Sequence, residues 1–489
     1  MGLAIALSAL AAIASAAHIQ HDIRAGNTRP NGVNIGGWLL AEHWMTTDSV
    51  IWQGVPNATA DQGEYPTMAY LGTQEGTSRF RKHWASFITE KDIQQIALAN
   101  LNMVRVPVGY WIQGCDHLTD AVLKDHCNRY AKGGLEYLDK LIRDWAWKHN
   151  LAVLISLHGA PGSQNGHDHS GSDDGKVYWS QYPSNVKATK DFAVFLAQRY
   201  KNDDAFLGIG LMNEPIEPVD TKVLLQYYRD TYKEIRAVSD CVLSLMPLLS
   251  HRKPGHGEYM DDFAPEMTNV WHEWHPYVNW GYEKMTEDQL INQGVAGRVS
   301  DINNWKGKPL FLGEWSFASP KNDSTTRRAL RGWAFWTWKN SSDTGDNIDR
   351  WSLRSALNLA NSLTPTATEK ATAIYDSTGK SLTLRNDPWR LVNEKTWINA
   401  VGPAREWWYD SNAKTLHSNL NGQCLDGYPT QNGQYAVHGY ACAAGNQNQV
   451  WTLSNGSVVH NLSKYCLTSS LTLVACDASK ANQKFTITN

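Results

Sequence analysis

The stretch "GIGLMNEPIEP", residues 208–218, decides how the rest of the chain is read. Ile209, Leu211 and Met212 have the character of a buried strand, yet the run stops on Asn213, Glu214 and Pro215. Proline cannot continue a sheet ladder, and a carboxylate beside buried surface costs desolvation unless something offsets it. Similar apolar runs recur on both sides: "GVNIGGW" (32–38), "MVRVPV" (103–108), "AVLISLH" (152–158), "CVLSLMP" (241–247), "VWHEWHPY" (270–277), "LFLGEWS" (310–316) and "GWAFWTWK" (332–339). Helix-period segments such as "GGLEYLDKLIRDWAWKHN" (133–150) and "VKATKDFAVFLAQRY" (186–200) lie between several of them. Eight strands alternating with helices predict an α/β fold, a (β/α)8 TIM barrel. Chemistry in such barrels sits where strands end at the C-terminal face, and Glu214 ends the fourth strand.

A second strand ends the same way, with Glu314 closing "LFLGEWS". Two glutamates on the rims of strands 4 and 7 face each other across a barrel mouth. Paired carboxyls are the machinery of glycoside hydrolysis: one protonates the leaving oxygen, and the other attacks the anomeric carbon or activates water. A lone rim glutamate is more often half of a surface salt bridge. Two strand-ending glutamates flanked by Asn and Trp reverse that weighting.

At 489 residues the chain is too long for one ordinary core, and two domains are expected. A net charge of -3 with 19% charged residues offers no basic field for nucleic acid and no polybasic membrane anchor. The 22 Trp fit either a Trp-rich core or stacking platforms for sugar faces. Residues 1–17, apolar from Leu3 to Ile13 and then Ala14-Ser15-Ala16-Ala17, read as a secretory signal peptide. The expected product is secreted, extracellular or in the cell wall, and monomeric. Seven cysteines suit an oxidising compartment: Cys115 with Cys127, Cys424 with Cys442 and Cys466 with Cys476 read as local bridges, and Cys241 as a buried free thiol. Glycosylation sequons occur at Asn57, Asn322, Asn340, Asn455 and Asn461.

Composition changes after "WSLRSALNLANSL" (351–363), read as the last barrel helix. The catalytic domain is therefore placed at 18–363, a polar linker at 364–372 and an all-β domain at 373–489. Within the latter, "TLHSNLNGQCLDGY" followed by "NQNQVW" resembles "SVVHNLSKYCLTSS" followed by "NQKF", with a fainter copy ending at "REWWYD" (405–410). Three copies of about 40 residues predict a β-trefoil.

Together, "GVNIGGWLLAEHWMT", "ITEKDIQQIALANLNMVRVPVGYW", "LHGAPGSQNGHDHSG", "LMNEP", "LFLGEWS" and "GWAFWTWK" resemble the fungal-type exo-β-1,3-glucanases of glycoside hydrolase family 5, over about residues 30–360. The resemblance implies a retaining double displacement at non-reducing ends of β-glucan, with no metal or organic cofactor. By motif, Glu214 is the acid/base and Glu314 the nucleophile, their environments pushing their pKa values apart. Arg105 keeps Glu314 ionised, and Asn213 bonds the sugar 2-OH. His158, His275 and Tyr277 line the sugar pocket and steady the carboxylates. Glu42 binds outer hydroxyls of the terminal glucose, and Trp338, in preference to Trp336, is the floor on which it stacks. Asp168 is a further polar contact. The family has an aromatic at His167 and Asn at His169; that aromatic pairs with Trp280 to clamp the incoming or outgoing sugar, so His167 bears on linkage preference. A β-1,6-glucanase, another β-glucosidase and a transglucosylase are the enzymatic alternatives, and a glucan-binding lectin-like protein the non-enzymatic one.

"WHEWHPY" (271–277) resembles a metal motif, but His272 and His275 lack the H-E-x-x-H helical spacing, and their odd separation on a strand sends them to opposite faces. "NGHDHSGSDDG" (165–175) reads as a polar substrate loop. The C-terminal domain resembles a ricin-B-type lectin, through Cys-Leu-Asp in "GQCLDGY" and Gln-x-Trp in "QVW". The resemblance assigns a sugar pocket in the second repeat to Asp426, Tyr440, Asn448 and Gln449. Thr468 and Phe485 replace Asp and Trp in the third repeat, which is expected to be inactive.

Overall fold

The computed structural model describes residues 17–99, 101–251, 260–316, 318, 332–341, 351–356, 369–384, 391–394, 407–418, 423–430 and 432–488. The expected signal peptide, all but Ala17, the sequon at Asn322 and residues 364–368 of the expected linker lie outside them.

Eight parallel strands close into a barrel: β1 (Asn31–Asn34), β2 (Met103–Gly109), β3 (Ala152–Gly159), β4 (Phe206–Gly210), β5 (Val242–Leu245), β6 (Val270–Trp274), β7 (Leu310–Leu312) and β8 (Trp333–Phe335). β1 pairs with both β2 and β8, which removes any sheet edge. Strand alternation decides what fills the interior. Met103, Ala152, Leu154, Leu207, Val242, Trp271, Phe311 and Ala334 make an apolar layer together with Ile19 and Ile23 of the N-terminal helix Ile19–Arg24. Two residues further along, the same strands turn polar: Arg105 follows Met103, Ser156 follows Leu154, Ser244 follows Val242 and Glu273 follows Trp271, all buried. One more step reaches His158 and His275. The intervening Val104, Val106, Val153 and Ile155 belong to the larger core under the helices.

Those helices start where the sequence provides a stop for the preceding loop. Asp220 accepts from the backbone of Lys222 and Val223 to cap Thr221–Arg236, and Pro183 opens Pro183–Tyr200. Thr89 and Asp92 form a capping box on Glu90–Leu98. The last expected barrel helix is described only over Leu353–Ala356.

Among the described residues the C-terminal strands pair antiparallel, from β9 (Glu369–Asp376) to a last strand over Phe485–Thr488, and these two pair with each other. β9 begins inside the segment assigned to the linker, where Glu369–Thr372 pair with Asp410–Trp407. The strand therefore starts four residues before the expected domain start at 373. Trp407, Trp451 and Phe485 occupy one core with Leu382, Leu425 and Leu467. The indole of Trp407 donates to Leu382 O and that of Trp451 to Leu425 O, both at 2.8 Å, so the first two repeats share one internal bond. The three expected disulfides are formed, and Cys241 is buried and free. Among the described residues no helix is long and apolar enough to cross a membrane.

Candidate active site

The chain leaves β4 and turns sharply at Glu214, whose φ of 46° is left-handed. Such a conformation costs a side-chain-bearing residue about 1–3 kcal/mol and persists only when its surroundings over-determine it. The "LHGAPGSQNG" loop does so here. Gln164 Nε2 donates to Asn213 O at 2.9 Å, Asn165 Nδ2 donates to Glu214 O at 3.1 Å, and Asn213 N donates to Leu157 O at 2.9 Å. Gln164 and Asn165 thus hold the turn at Glu214, a role that sequence reading left unassigned. Their place beside a Gly-Pro-rich turn in the most specific motif was the available signal.

Glu314 stands two residues beyond β7, buried, with both oxygens engaged. Oε1 accepts from Arg105 Nη1 at 2.9 Å, and Oε2 accepts from Tyr277 Oη at 2.9 Å. His158 Nε2 lies 3.5 Å from Oε1, and His275 Nδ1 lies 3.6 Å from Oε2. One oxygen each of Glu214 and Glu314 and a ring nitrogen of His275 all fall within 4.8 Å of one another. This trio is also compact enough for a metal ion, but Arg105 and the His275 ring already neutralise its carboxylates. A second compact group, His417, Cys424 and Cys442, has its sulfurs joined in a disulfide.

Arg105, fully buried, organises the floor. Nη1 also donates to Asn34 Oδ1 at 2.8 Å, Nη2 donates to Asn213 Oδ1 at 2.8 Å, and Nη2 pairs with Glu273 Oε1 at 2.8 Å. Because Arg105 engages the Asn213 oxygen, the amide nitrogen is the end left for a sugar hydroxyl. Glu273 and Asn34 were not identified from sequence. Alternation from His275 would have exposed Glu273, since residues two apart on β6 share the interior face.

Electrostatics separate the groups. Burial alone would raise Glu314, but His275, the hydrogen-bonding His158 and Arg105 outweigh it and hold the carboxyl well below its usual range. Glu214 is also lowered: burial again opposes, and the His275 hydrogen bond and charge prevail. Burial lowers His275, but Glu314, Glu214 and Glu273 together raise it to about 9. Both carboxyls are thus held below their usual range and His275 above its own, so the free enzyme keeps the shared proton on His275, and Glu214 is not raised as its acid role was expected to require. Burial drives His158 down to about 4 and so keeps it neutral.

Around this centre, Glu42 is buried, and its Oε2 accepts from Trp44 Nε1 at 2.9 Å. Its Oε1 has no partner among the described residues. Burial, with the nearby charges of Asp168, Glu314 and Glu214, raises its carboxyl well above the ordinary value. His167 is exposed and stacks on His169 with centroids 5.5 Å apart. Trp280 is 58% exposed and meets Tyr277 edge-on at 5.4 Å. His272 faces outward onto Trp305, so the two histidines of "WHEWHPY" do diverge.

The stacking floor requires correction. Trp338 is 0% exposed, lies in the core beneath the helices, and donates its indole N–H to Asp92 at 3.1 Å. Trp336 instead lies parallel to His158 at 5.9 Å and clusters with Met45 and Tyr277. β8 ends at Phe335, so strand alternation no longer relates these two tryptophans.

A family model described as "Cellulase (glycosyl hydrolase family 5)" matches residues 61–355. This chain belongs to glycosyl hydrolase family 5. A second model, "Ricin-type beta-trefoil lectin domain", matches residues 370–485, beginning at β9. The family 5 chain is 34% identical over 299 residues to a probable glucan 1,3-beta-glucosidase A of Aspergillus fumigatus, covering 59% of this chain and 65% of that protein. It is 32% identical over 311 residues to a glucan 1,3-beta-glucosidase of Candida oleophila, covering 60% and 68% respectively. It therefore spans about two thirds of the length of these relatives. The crystal structure of a rutinosidase from Aspergillus niger superposes with a TM-score of 0.55 at 18% identity, covering 69% of this chain and 98% of that one, which supports the fold.

In the trefoil domain of this family 5 enzyme, Asp426 is buried and accepts from Gln449 Nε2 at 3.1 Å, while Gln449 Oε1 accepts from Ala443 N at 3.0 Å. Tyr440 is 46% exposed and stacks on His438 at 5.5 Å. Asn446 Nδ2 reaches Asp426 Oδ2 at 3.4 Å, while Asn448 gives its backbone oxygen to His460 Nε2 at 3.1 Å. In the third repeat Thr468 bonds instead to Ser470 and Thr472.

Proposed function

We propose that this glycoside hydrolase is a secreted, retaining exo-β-1,3-glucanase that removes glucose from non-reducing ends of β-glucan. The separation of at most 4.8 Å between a Glu214 oxygen and a Glu314 oxygen carries the mechanistic part. Retaining pairs stand about 5–5.5 Å apart, whereas inverting pairs need about 6.5–9.5 Å to admit water between them. Glu314, ionised and oriented by Arg105 and Tyr277, attacks the anomeric carbon. Glu214 protonates the departing oxygen, and the same carboxylate then deprotonates the water that releases the sugar. Asn213 donates to the 2-OH. Glu42 Oε1, buried and unpaired, accepts from a hydroxyl of the terminal glucose, and Trp336 supplies the stacking face. The names of the two fungal relatives support the linkage, and the disulfides support export.

Laminarin hydrolysis followed by NMR tests this reading. β-Glucose is expected first, drifting to the α anomer by mutarotation. Early long oligosaccharides would indicate internal cleavage, and α-glucose first would refute retention.

The trefoil is proposed to tether the enzyme to its polymer through effective concentration, with the second-repeat pocket as anchor. Asp426→Ala in the full chain should weaken retention on insoluble β-glucan while soluble laminarin is hydrolysed at the wild-type rate. Undiminished retention would make this pocket a passive feature.

A further inference from the structure

Both nitrogens of the buried His275 ring face a carboxylate. Nδ1 lies 2.7 Å from Glu214 Oε1, and Nε2 lies 3.3 Å from Glu273 Oε1. A neutral imidazole carries one N–H, so with both carboxyls ionised one contact would set a lone pair against an anion. With Glu273 kept ionised by Arg105 Nη2 at 2.8 Å, two placements of a single proton satisfy this geometry. In one, an imidazolium donates to both carboxylates. In the other, the ring keeps Nε2–H toward Glu273, and Glu214 carries the proton and donates it to Nδ1. The second placement is the general-acid form, reached by a transfer along one short hydrogen bond.

The fold reserves space for Glu273 in this arrangement. Its Oε2 accepts from Ser244 Oγ, and its Oε1 lies 2.8 Å from Arg105 Nη2. A Cβ on Gly313, the residue before the nucleophile, would stand 2.1 Å from Glu273 Oε1, so a side chain there is incompatible with the carboxylate. Glu273 is 2% exposed and lies one layer beneath the reacting pair. It has no route to the sugar except through His275 or Arg105.

We infer, building on the glycosidase reading above, that Glu273 is a positioning residue: it fixes His275 as the Nε2–H tautomer, so that Nδ1 stores the proton Glu214 delivers to the leaving group. His275 Nδ1 gives its proton to Glu214 Oε1, and Glu214 gives it to the glycosidic oxygen as the C–O bond breaks and the alcohol departs. In the second half-reaction Glu214 takes a proton from the water whose oxygen displaces Glu314, and that proton returns to Nδ1. One proton enters from water and one leaves on the alcohol. The arrangement parallels the carboxylate that sets a catalytic histidine's tautomer in serine hydrolases. The charged and titratable groups around the ring are Glu214 beyond β4, Glu314 beyond β7, Glu273 on β6, Arg105 on β2, His158 on β3 and Tyr277.

Glu273→Gln in the full chain distinguishes this role from simple bracing of Arg105. kcat/KM is measured with phenyl β-glucoside, whose leaving group needs a proton, and with 2,4-dinitrophenyl β-glucoside, whose leaving group does not. The phenyl substrate should lose about 10²-fold or more, within the range supplied by general acid catalysis, while the dinitrophenyl substrate loses less than about tenfold. The alkaline limb for the phenyl substrate should move to lower pH, because the ring loses an anion that favours its charged form. Equal losses on both substrates, or none, would overturn the inference. Ser244→Ala, which frees Glu273 Oε2 and leaves its ion pairs in place, should show the same selective pattern at smaller amplitude. It decides the matter should Glu273→Gln fail to fold. Wild-type inactivity on both glucosides would instead overturn the glucosidase reading.

Discussion

Glu314→Gln should lower kcat by at least about 10⁴-fold, the scale seen when a covalent nucleophile is removed. Binding of glucose-like inhibitors should persist, because Asn213, Glu42 and Trp336 are untouched. The physical reason lies in the site's asymmetry. Burial opposes charge on Glu314, yet His275, His158 and Arg105 hold it ionised, and Tyr277 fixes its second oxygen. An amide keeps the shape of that carboxylate without its nucleophilicity. A chemical-rescue experiment sharpens the assignment. With azide, Glu314→Ala should yield the α-glucosyl azide by direct displacement, while Glu214→Ala should yield the β-azide through the intact covalent intermediate. Substantial residual hydrolysis in Glu314→Gln, or the opposite pairing of azide anomers, would refute the roles given to the two glutamates.

Arg105→Met is expected to destabilise the barrel by about 3–5 kcal/mol at neutral pH, the cost of leaving buried charges without their partner. Both Glu273 and Glu314 lose their guanidinium contacts, at 2.8 and 2.9 Å, on side chains only 2% and 7% exposed. The sign of the pH dependence follows from the wild-type carboxyls. Burial alone would raise Glu273, but Arg105, His275 and Ser244 bring it down to about 2, and Glu314 is also held well below its usual range. Depressed carboxyls contribute stability above their unfolded pKa, near 4.3, and lose it as pH falls through the folded values. The variant lacks much of that contribution. The gap between the two proteins should therefore be fully present at pH 7 and narrow below about pH 4.3. Calorimetry of the barrel transition at several pH values reads this directly, and an unchanged midpoint at pH 7 would show that the guanidinium is dispensable to the fold.

Legibility from sequence followed chemistry that repeats at short range. The barrel was readable because eight apolar runs alternate with helical periods. The proposed reacting pair was visible because Glu214 and Glu314 each interrupt such a run where a strand must stop. Glu273 escaped because its neighbours His272 and His275 drew attention as a metal decoy, although alternation along β6 places it beside His275. The choice between Trp336 and Trp338 depended on where β8 ends, and three residues of strand are too few for periodicity to show that. The start of β9 was not readable because the polar run "TPTATEKAT" (364–372) carries no apolar alternation to mark a strand. The proton's position could not be read at all, since it depends on three carboxylates and two cations converging from four strands.

The backbone at position 214 carries a final implication. Its left-handed twist suits glycine better than any residue with a Cβ, so the proposed acid/base sits where the chain resists it. A library of this enzyme sorted by heat resistance alone would drift toward Gly or Asn at 214 and enrich well-folded, inactive molecules. Engineering for durability therefore has to select for turnover in the same round, or it will discard the residue that performs the chemistry.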